Sequence, residues 1–442
     1  MVRPVTDLLA FRAKWEPLET GTSEERACFA AISIHQGDIC LTEAEDRFVE
    51  RVRKDIPLSG FRLAEWIAWN WWRLRWEPRR AGVQWSLAHH LTTIGGGYVW
   101  PNITIFSDGE RVALVAKPTQ ARPSEPIRYI SDIPLVVRAT EFEGAIDLFL
   151  NQVAEQLRQE GVRETNFERT WAEVRAERAD SEMLKWRRLE AMLGFDPDEA
   201  DPSLIERMLA DADDLGGDAI QEIAADRVQG APVTTAEELR EQAGSLGFDM
   251  RPRDAVRLSS TVQLPPIQYA AAWKRGAEAA RALRTQEDLG AAPISNQRLS
   301  DLSGVERRAI TEKVASPTFS FALDDGPDSG RIAFRSKWEA GRRFELARLL
   351  GDRLASDAEG RLYLATRGYT YRQKLQRSFA AELLCPFDAL EDMLRGDYSA
   401  EAIEEAAHHF IVSERAVRTL LVNHGRLDRE DLERDVEAAA AA

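Results

Sequence analysis

Five tryptophans within eleven residues constrain the fold of the first part of this chain more than any other feature. They are Trp66, Trp69, Trp71, Trp72 and Trp76. At 3.6 residues per turn, Trp69, Trp72 and Trp76 share one face of a helix. A second apolar face holds Leu63, Ile67 and Leu74. A helix that is apolar on two faces is usually buried, so the sequence predicts a core helix that ends at Pro78.

Two runs of alternating apolar and polar residues follow this helix, Tyr98–Phe106 and Arg111–Pro118. An Asp-Gly pair lies between them, and this residue pair favours a tight turn, so the two runs predict a β-hairpin. A further strand over Pro134–Thr140 precedes a helix that ends near residue 160. These elements predict an α+β domain over residues 1–160.

Residues 161–265 are rich in charge and have apolar residues three to four positions apart, which predicts a helical middle region. The predicted helices are Asn166–Leu193, Pro202–Asp211, Asp218–Asp226 and Thr235–Gly244. Thr234 and Glu237 have the spacing of a capping box. A C-terminal domain is predicted over 266–430, and residues 431–442 are expected to fray. The predicted fold class is thus α+β, multidomain and predominantly helical.

Two segments of the C-terminal third share a distinctive pattern, RRFELARLLGDRL (342–354) and QKLQRSFAAELLCP (373–386). Together they resemble the signature of the ImmA/IrrE-type metallopeptidases. In that family a helix Arg-Arg-Phe-x-x-Ala-His-Glu-x-Gly-His precedes a second helix, which carries a Glu and ends Phe-Ala-Ala-Glu-Leu-Leu-Met-Pro. The matching framework residues are Arg342, Arg343, Phe344, Ala347, Gly351, Phe379, Ala380, Ala381, Glu382, Leu383, Leu384 and Pro386.

The resemblance covers residues 297–425 and implies a zincin-like domain. Short β-like runs over Thr318–Asp325 and Arg331–Ser336 correspond to the small sheet that precedes the family's first helix. The segment Ser399–Leu427 resembles the family's helix-turn-helix-like pair. Within it, Ser413 is expected to cap the helix Glu414–Asn423, and Gly425 to end it.

The residues that would carry the family's chemistry are replaced in this chain. Arg348 occupies the position of the first zinc-binding His, Leu349 that of the general base Glu, and Asp352 that of the second His. Gln373 aligns with the third ligand, a Glu. Arginine is a permanent cation that cannot bind zinc, and leucine cannot transfer a proton. We therefore predict a degenerate site with no metal, no other cofactor and no catalytic residue.

Charge is distributed unevenly along the chain. The formal net charge is −16, which disfavours nucleic-acid binding by the chain as a whole. Residues 331–380 nevertheless contain twelve Lys/Arg against five Asp/Glu, whereas residues 381–442 contain six against fifteen. This basic segment fits a solvated helix face covered by an acidic neighbour, a contact for an anion or nucleic acid, or a contact for an acidic protein surface.

The resemblance also implies a function. Members of the family act on helix-turn-helix repressors of the Xre type, in stress-response, mobile-element and toxin–antitoxin systems. This chain is therefore expected to bind such a partner, or another subunit of a prokaryotic phage-defence complex, without cleaving it. The groove of the degenerate site is expected to be lined by Arg342, Arg343, Arg348, Leu349, Asp352, Gln373 and Arg377.

Two alternative functions depend on other residues. A nucleic-acid-binding regulator would use the helix-turn-helix-like segment, whose possible contacts are Arg415, Arg418 and His424. An enzyme would need a site in the N-terminal domain, around His89, His90 and the glycine triplet 95–97. No nucleophile–base pair or pair of carboxylates with a catalytic pattern is recognisable there.

The sequence also bears on location. No apolar run approaches the length of a transmembrane helix, and the first residues, MVRPVTDLLAFRAKWEP, lack the apolar core of a signal peptide. Both features predict a cytoplasmic protein with no membrane partner. The three cysteines, Cys28, Cys40 and Cys385, have no metal-type spacing and fit a reducing compartment, with Cys28 and Cys40 as buried thiols.

Overall fold

The chain forms two compact units, Met1–Glu206 and Arg207–Ala442, in a computed structural model. Residues 8–120, 125–228, 230–312, 314–357 and 359–428 are described. About half of the chain is helical and the sheets are small, which confirms the predicted α+β, multidomain class. The predicted frayed tail, 431–442, lies outside the described residues.

The first unit combines small antiparallel sheets with long helices. Its strands are β1 (Leu9–Trp15), β2 (Phe29–Gln36), β3 (Ile39–Cys40), β4 (Ala44–Asp46), β5 (Arg51–Arg53), β6 (Ile56–Ser59), β7 (Ile103–Ser107), β8 (Arg111–Ala116), β9 (Ile127–Tyr129) and β10 (Ile133–Arg138). Its helices are α1 (Ser23–Ala27), α2 (Gly60–Trp76), α3 (Val83–His89), α4 (Ala139–Gln159), α5 (Asn166–Ala179) and α6 (Ser181–Leu193), with a 3-10 turn at Leu91–Thr93. The sheet orders are β1-β2-β3 with β6 also paired to β2, β10-β8-β7, and β5-β4-β9.

The predicted tryptophan helix is α2. Ser59 caps its first turn by accepting a hydrogen bond from the backbone N–H of Arg62, and the helix ends two residues before Pro78. Trp71 and Trp72 are almost completely buried, as expected of a core helix. Trp69 differs from that prediction, because 63% of its surface is exposed. The predicted hairpin is confirmed as the pair β7–β8.

The predicted middle region, 161–265, is instead divided between the two units. The helix α5 of this region packs on α2, where the Trp71 and Trp171 rings meet edge to face with their centroids 5.5 Å apart. The predicted single helix 166–193 breaks at Asp180, because the Asp180 side chain accepts hydrogen bonds from the first N–H groups of α6. The capping box also lies one residue later than predicted, at Thr235 and Glu238.

The second unit is built around three packed helices and one antiparallel sheet. Its helices are α7 (Pro202–Leu215), which begins in the first unit, α8 (Gly217–Asp226), α9 (Ala236–Leu246), α10 (Ala272–Gln286), α11 (Asn296–Ser303), α12 (Arg308–Thr311), α13 (Glu339–Ala355), α14 (Tyr371–Leu384), α15 (Phe387–Leu394), α16 (Ala400–Phe410) and α17 (Glu414–Asn423), with a 3-10 turn at Pro252–Asp254. Its strands are β11 (Phe248–Met250), β12 (Ser320–Asp324), β13 (Gly330–Ala333) and β14 (Leu362–Ala365), in the order β11-β13-β12-β14. Helices α10, α13 and α14 pack against one another.

The helix pair at the end of the second unit has the predicted capping. Ser413 caps α17 by accepting a hydrogen bond from the N–H of Ala416, and Gly425, with a φ of 68°, follows the end of the helix. Cys28, Cys40 and Cys385 are free and buried. Of the helices in the described part of the chain, none is long and apolar enough to cross a membrane.

Candidate functional site

The residues predicted for the degenerate zinc site meet between α13 and α14. Arg348 and Asp352 lie one turn apart on α13, and Gln373 lies in the first turn of α14. Thr370 begins α14 by accepting a hydrogen bond from the N–H of Gln373 at 3.2 Å. Because these two helices pack together, side chains 25 positions apart in the sequence come into contact.

At the predicted degenerate zinc site, Arg348 and Gln373 form hydrogen bonds with each other and with nearby backbone groups. The Arg348 guanidinium donates through Nη2 to the Gln373 side-chain oxygen and, at 2.7 Å, to the carbonyl of Thr366. The same Gln373 oxygen accepts from the N–H of Thr366 at 2.9 Å, and the Gln373 amide donates to the carbonyl of Leu364 at 3.0 Å. Burial, and then the positive charge of Arg377, lowers the pKa of Arg348 to about 9.

Asp352 is held by a residue that the sequence analysis did not identify. Arg372 donates two parallel hydrogen bonds of 2.7 Å to the two carboxylate oxygens of Asp352, and the Asp352 side chain is fully buried. Burial by itself lowers the pKa of Arg372, but the charge and the hydrogen bonds of Asp352, together with the charges of Glu222 and Asp218, outweigh burial and raise it. The only signal for this residue in the sequence was the position of Arg372 immediately before Gln373.

Glu222 is a second residue that the sequence analysis missed. It lies on α8, is 4% exposed, and accepts a hydrogen bond from the Thr370 hydroxyl at 2.9 Å. Burial raises the pKa of Glu222 to about 7, against the opposing effect of the Arg372 charge. Its only sequence signal was a carboxylate between the apolar residues Ile220 and Ile223 on a short helix.

The Glu222→Gln variant is expected to be about 2 to 3 kcal/mol more stable than the wild type at pH 8 and nearly equal to it at pH 4.5. The folded-state pKa, about 7, lies above the ordinary value of 4.5. The folded protein therefore binds the proton more tightly, and this stabilisation is fully present below pH 4.5 and is lost as the pH rises through 7. Glutamine stays neutral throughout.

Urea unfolding of both proteins across this pH range measures the difference. The matched control is Glu237→Gln, since Glu237 is an exposed carboxylate on α9 of the same unit. The control profile should parallel the wild type. A parallel profile for Glu222→Gln as well would contradict the prediction.

The other predicted groove residues are mostly buried. Arg342 donates to the carbonyls of Ser336 and Glu312, and Arg343 donates to the carbonyl of Ile294 at 2.6 Å. Leu349 is in the apolar core, and the partly exposed Arg377 donates to the carbonyl of Gly368 at 2.8 Å. The expected open groove is therefore replaced by a buried polar network, because each of these arginines is engaged by backbone carbonyls or side chains of its own unit.

The predicted nucleic-acid contacts have different environments. The His424 ring stacks on Phe387, with centroids 3.5 Å apart and planes at 7°, so it serves packing within the unit. Arg418 is half-buried, whereas Arg415 is exposed. Of the three predicted donors, only Arg415 is thus exposed.

The histidines of the first unit have structural contacts. The His89 ring is fully buried, lies 2.6 Å from the carbonyl of Ile105 and 3.0 Å from the Glu77 carboxylate, and stacks on Trp85. His90 is half-buried and contacts the Thr104 hydroxyl. A substrate cannot reach the His89 ring in this arrangement.

A small basic and aromatic surface lies near the partly exposed Arg377. Arg367 and Tyr369 are exposed in the loop that joins β14 to α14, and the Arg377 guanidinium lies 5.6 Å from the Tyr369 ring. The charge of Arg415 is close enough to help lower the pKa of Arg377, after the larger effect of burial. We call Arg367, Tyr369 and Arg415 the rim. Within the described part of the chain, the Arg367 and Arg415 side chains form no hydrogen bond or ion pair.

The donor set at the degenerate site does not fit zinc. A guanidinium and an amide occupy two of the positions that the resemblance assigns to ligands, and the one carboxylate is neutralised by Arg372. Among the described residues, no group of three or more His, Cys, Asp or Glu side chains could hold a metal ion. The chain matches no protein-family model, no curated protein and no solved structure.

Proposed function

We propose that this protein is a non-catalytic relative of the ImmA/IrrE-type metallopeptidases that acts as a binding or regulatory subunit. The observation that carries the proposal is the hydrogen bond between Arg348 and Gln373. These residues occupy two ligand positions of the resembled signature, and ligands of one zinc ion must converge on one point. Here the two side chains converge but bind each other, so they hold α13 and α14 together without a metal.

The second ligand position supports the same conclusion. Asp352 is one helical turn from Arg348, as the second His would be, and both of its oxygens are engaged by Arg372. Leu349, at the position of the general base, is packed in the apolar core. The residues at the aligned positions therefore provide no free base to activate water and no free ligand to polarise a carbonyl group.

We further propose that the rim binds an acidic surface of a protein partner. Arg348 is 5% exposed and cannot make this contact itself. The Arg415 and Arg367 side chains are exposed, although the Arg367 charge also acts on the carboxylate of Asp226, and Tyr369 is 54% exposed between buried neighbours. By the resemblance, the partner is an Xre-type helix-turn-helix protein or a subunit of a prokaryotic phage-defence or toxin–antitoxin complex.

Capture of the tagged chain, co-expressed with its neighbouring genes, tests the proposed partner. We expect a stoichiometric protein that remains bound after nuclease treatment. The Arg367→Glu/Arg415→Glu variant should retain about tenfold less of it, because like charges across an interface repel. Arg257→Glu, an exposed arginine of the same unit, is the matched control and should retain it fully. Co-eluting material that nuclease removes would instead favour the nucleic-acid regulator.

Restoring the ligands tests the relationship to the peptidase family. We expect Arg348→His, Leu349→Glu, Asp352→His and Gln373→Glu, combined with Arg372→Ala to remove the orphaned cation, to create a site for one Zn²⁺ per chain. Metal content after dialysis is the measurement. Arg348→His alone is the control and should retain no zinc. A combined variant that folds, judged by circular dichroism, but retains no zinc would refute the alignment of the two helices with the family.

A further inference from the structure

A cleft of about 510 Å³ opens in the first unit between α2 and the first turns of α5. Its side chains include two tryptophans, two carboxylates and two arginines, which are Trp66, Trp69, Glu65, Glu173, Arg62 and Arg169. The volume lies in the range of small-molecule sites. The cleft is separate from the polar network of the second unit, so an inference about it does not rest on the proposed function.

The indoles of this cleft are exposed where the rest of their helix is buried. Trp69 is 63% exposed and Trp66 is half-buried, whereas Trp71 and Trp72 on the same helix are almost fully covered. Trp66 and Trp69 are three residues apart, so they are neighbours on one face of α2. Packing in the core therefore does not explain why position 69 is a tryptophan. The face of the Trp69 ring is available to a ligand.

The charges of the cleft are unequally satisfied. Arg62 donates to the Glu25 carboxylate at 2.9 Å, and Arg169 donates to the side-chain oxygen of Asn166. Within the described part of the chain, the Glu65 and Glu173 side chains form no hydrogen bond or ion pair. Glu65 is half-buried, and burial raises its pKa although the nearby Arg62 charge opposes this. With Glu25 counted as the partner of Arg62, three carboxylates lie at the cleft against two arginines, so one negative charge remains without a cation.

We propose that this cleft binds an organic cation, a quaternary ammonium or guanidinium group, between the faces of Trp66 and Trp69 and the carboxylates of Glu65 and Glu173. Indole faces attract cations through the ring quadrupole, and they also cover the apolar body of such a group. A carboxylate next to them supplies the countercharge. Asn70 also lines the cleft; its amide donates to the Trp66 carbonyl at 2.8 Å, which leaves its side-chain oxygen as an acceptor for a guanidinium N–H.

The same chemistry is presented by a free amine and by a basic side chain of a partner peptide. Titration calorimetry with the full chain separates them, with choline, agmatine and an end-blocked peptide containing one arginine as probes. The neutral probe 3,3-dimethyl-1-butanol has the shape of choline without its charge. We expect at least one cation to bind about tenfold or more tightly than the neutral probe. Tighter binding of the peptide than of agmatine assigns the site to a protein side chain, and the reverse assigns it to a free amine.

Two variants test whether the cations bind in this cleft. Trp69→Ala and Glu65→Gln should each weaken binding about tenfold, and both replace incompletely buried side chains, so the fold should be retained. Trp338→Ala is the control, since Trp338 is 76% exposed and lies in the other unit, and it should leave binding unchanged. Equal binding of charged and neutral probes, no binding of any cation, or binding insensitive to both cleft variants would overturn the proposal.

Discussion

Asp352→Ala is expected to lower the free energy of unfolding of the second unit by about 3–5 kcal/mol. The substitution removes the only ion-pair partner that Arg372 has within the described part of the chain, and Arg372 keeps one-tenth of its side-chain surface exposed. A buried guanidinium that loses its paired carboxylate costs much more than the lost hydrogen bonds alone, although the charges of Glu222 and Asp218 still act on it. Hydrogen exchange of peptides from α13 and α14 measures the effect in this unit.

The matched control is Glu391→Ala, which breaks an ion pair with Arg426 in the same unit. Both side chains of that pair are more than one-third exposed, so the expected loss is below about 1 kcal/mol. Replacing both Asp352 and Arg372 by leucine should recover much of the stability, because the guanidinium and its paired carboxylate are then removed together. A loss for Asp352→Ala no larger than that for Glu391→Ala would show that Arg372 reaches solvent.

Gly276→Ala is expected to destabilise the second unit by about 3 kcal/mol or more. A Cβ atom at this position of α10 would lie 2.3 Å from the carbonyl oxygen of Leu375 and 3.0 Å from the backbone nitrogen of Phe379. The backbones of α10 and α14 therefore touch here, and a side chain can be accommodated only if the helices separate. Helix propensity alone predicts that Gly276→Ala stabilises the protein, since alanine favours a helix by about 1 kcal/mol over glycine.

Gly244→Ala in α9 is the control for Gly276→Ala. No atom lies within 4 Å of a Cβ built at Gly244, so this substitution should stabilise the protein by about 0.5–1 kcal/mol. Urea unfolding followed by circular dichroism compares the two variants. If both glycines respond alike, the close approach of α10 and α14 does not exist in solution.

A similar close contact explains why the two signature helices lie together. A Cβ at Gly351 of α13 would be 2.5 Å from the Phe379 ring of α14. Gly351 and Phe379 both belong to the framework that the resemblance identified, and the contact gives this part of the pattern a packing role. The contact also places Arg348 within reach of Gln373.

Local signals in the sequence determined most of the elements. The tryptophan helix, the hairpin β7–β8 and the cap at Ser413 were predicted because apolar spacing, turn residues and capping residues act over only a few positions. The resemblance placed Arg348 and Gln373 in one groove. It did not predict that they bind each other.

Only the tertiary structure decided which charges are buried and which aromatic residue is left exposed. Apolar spacing marks the face of a helix that faces a core, but not which distant segment covers it. Glu222 and Arg372 are buried because α8 and α13, far apart in sequence, both pack near the start of α14. Trp69 is exposed because α5 leaves a cleft beside it. Burial of a charge depends on neighbours that no local pattern specifies, and so does the function proposed for each site.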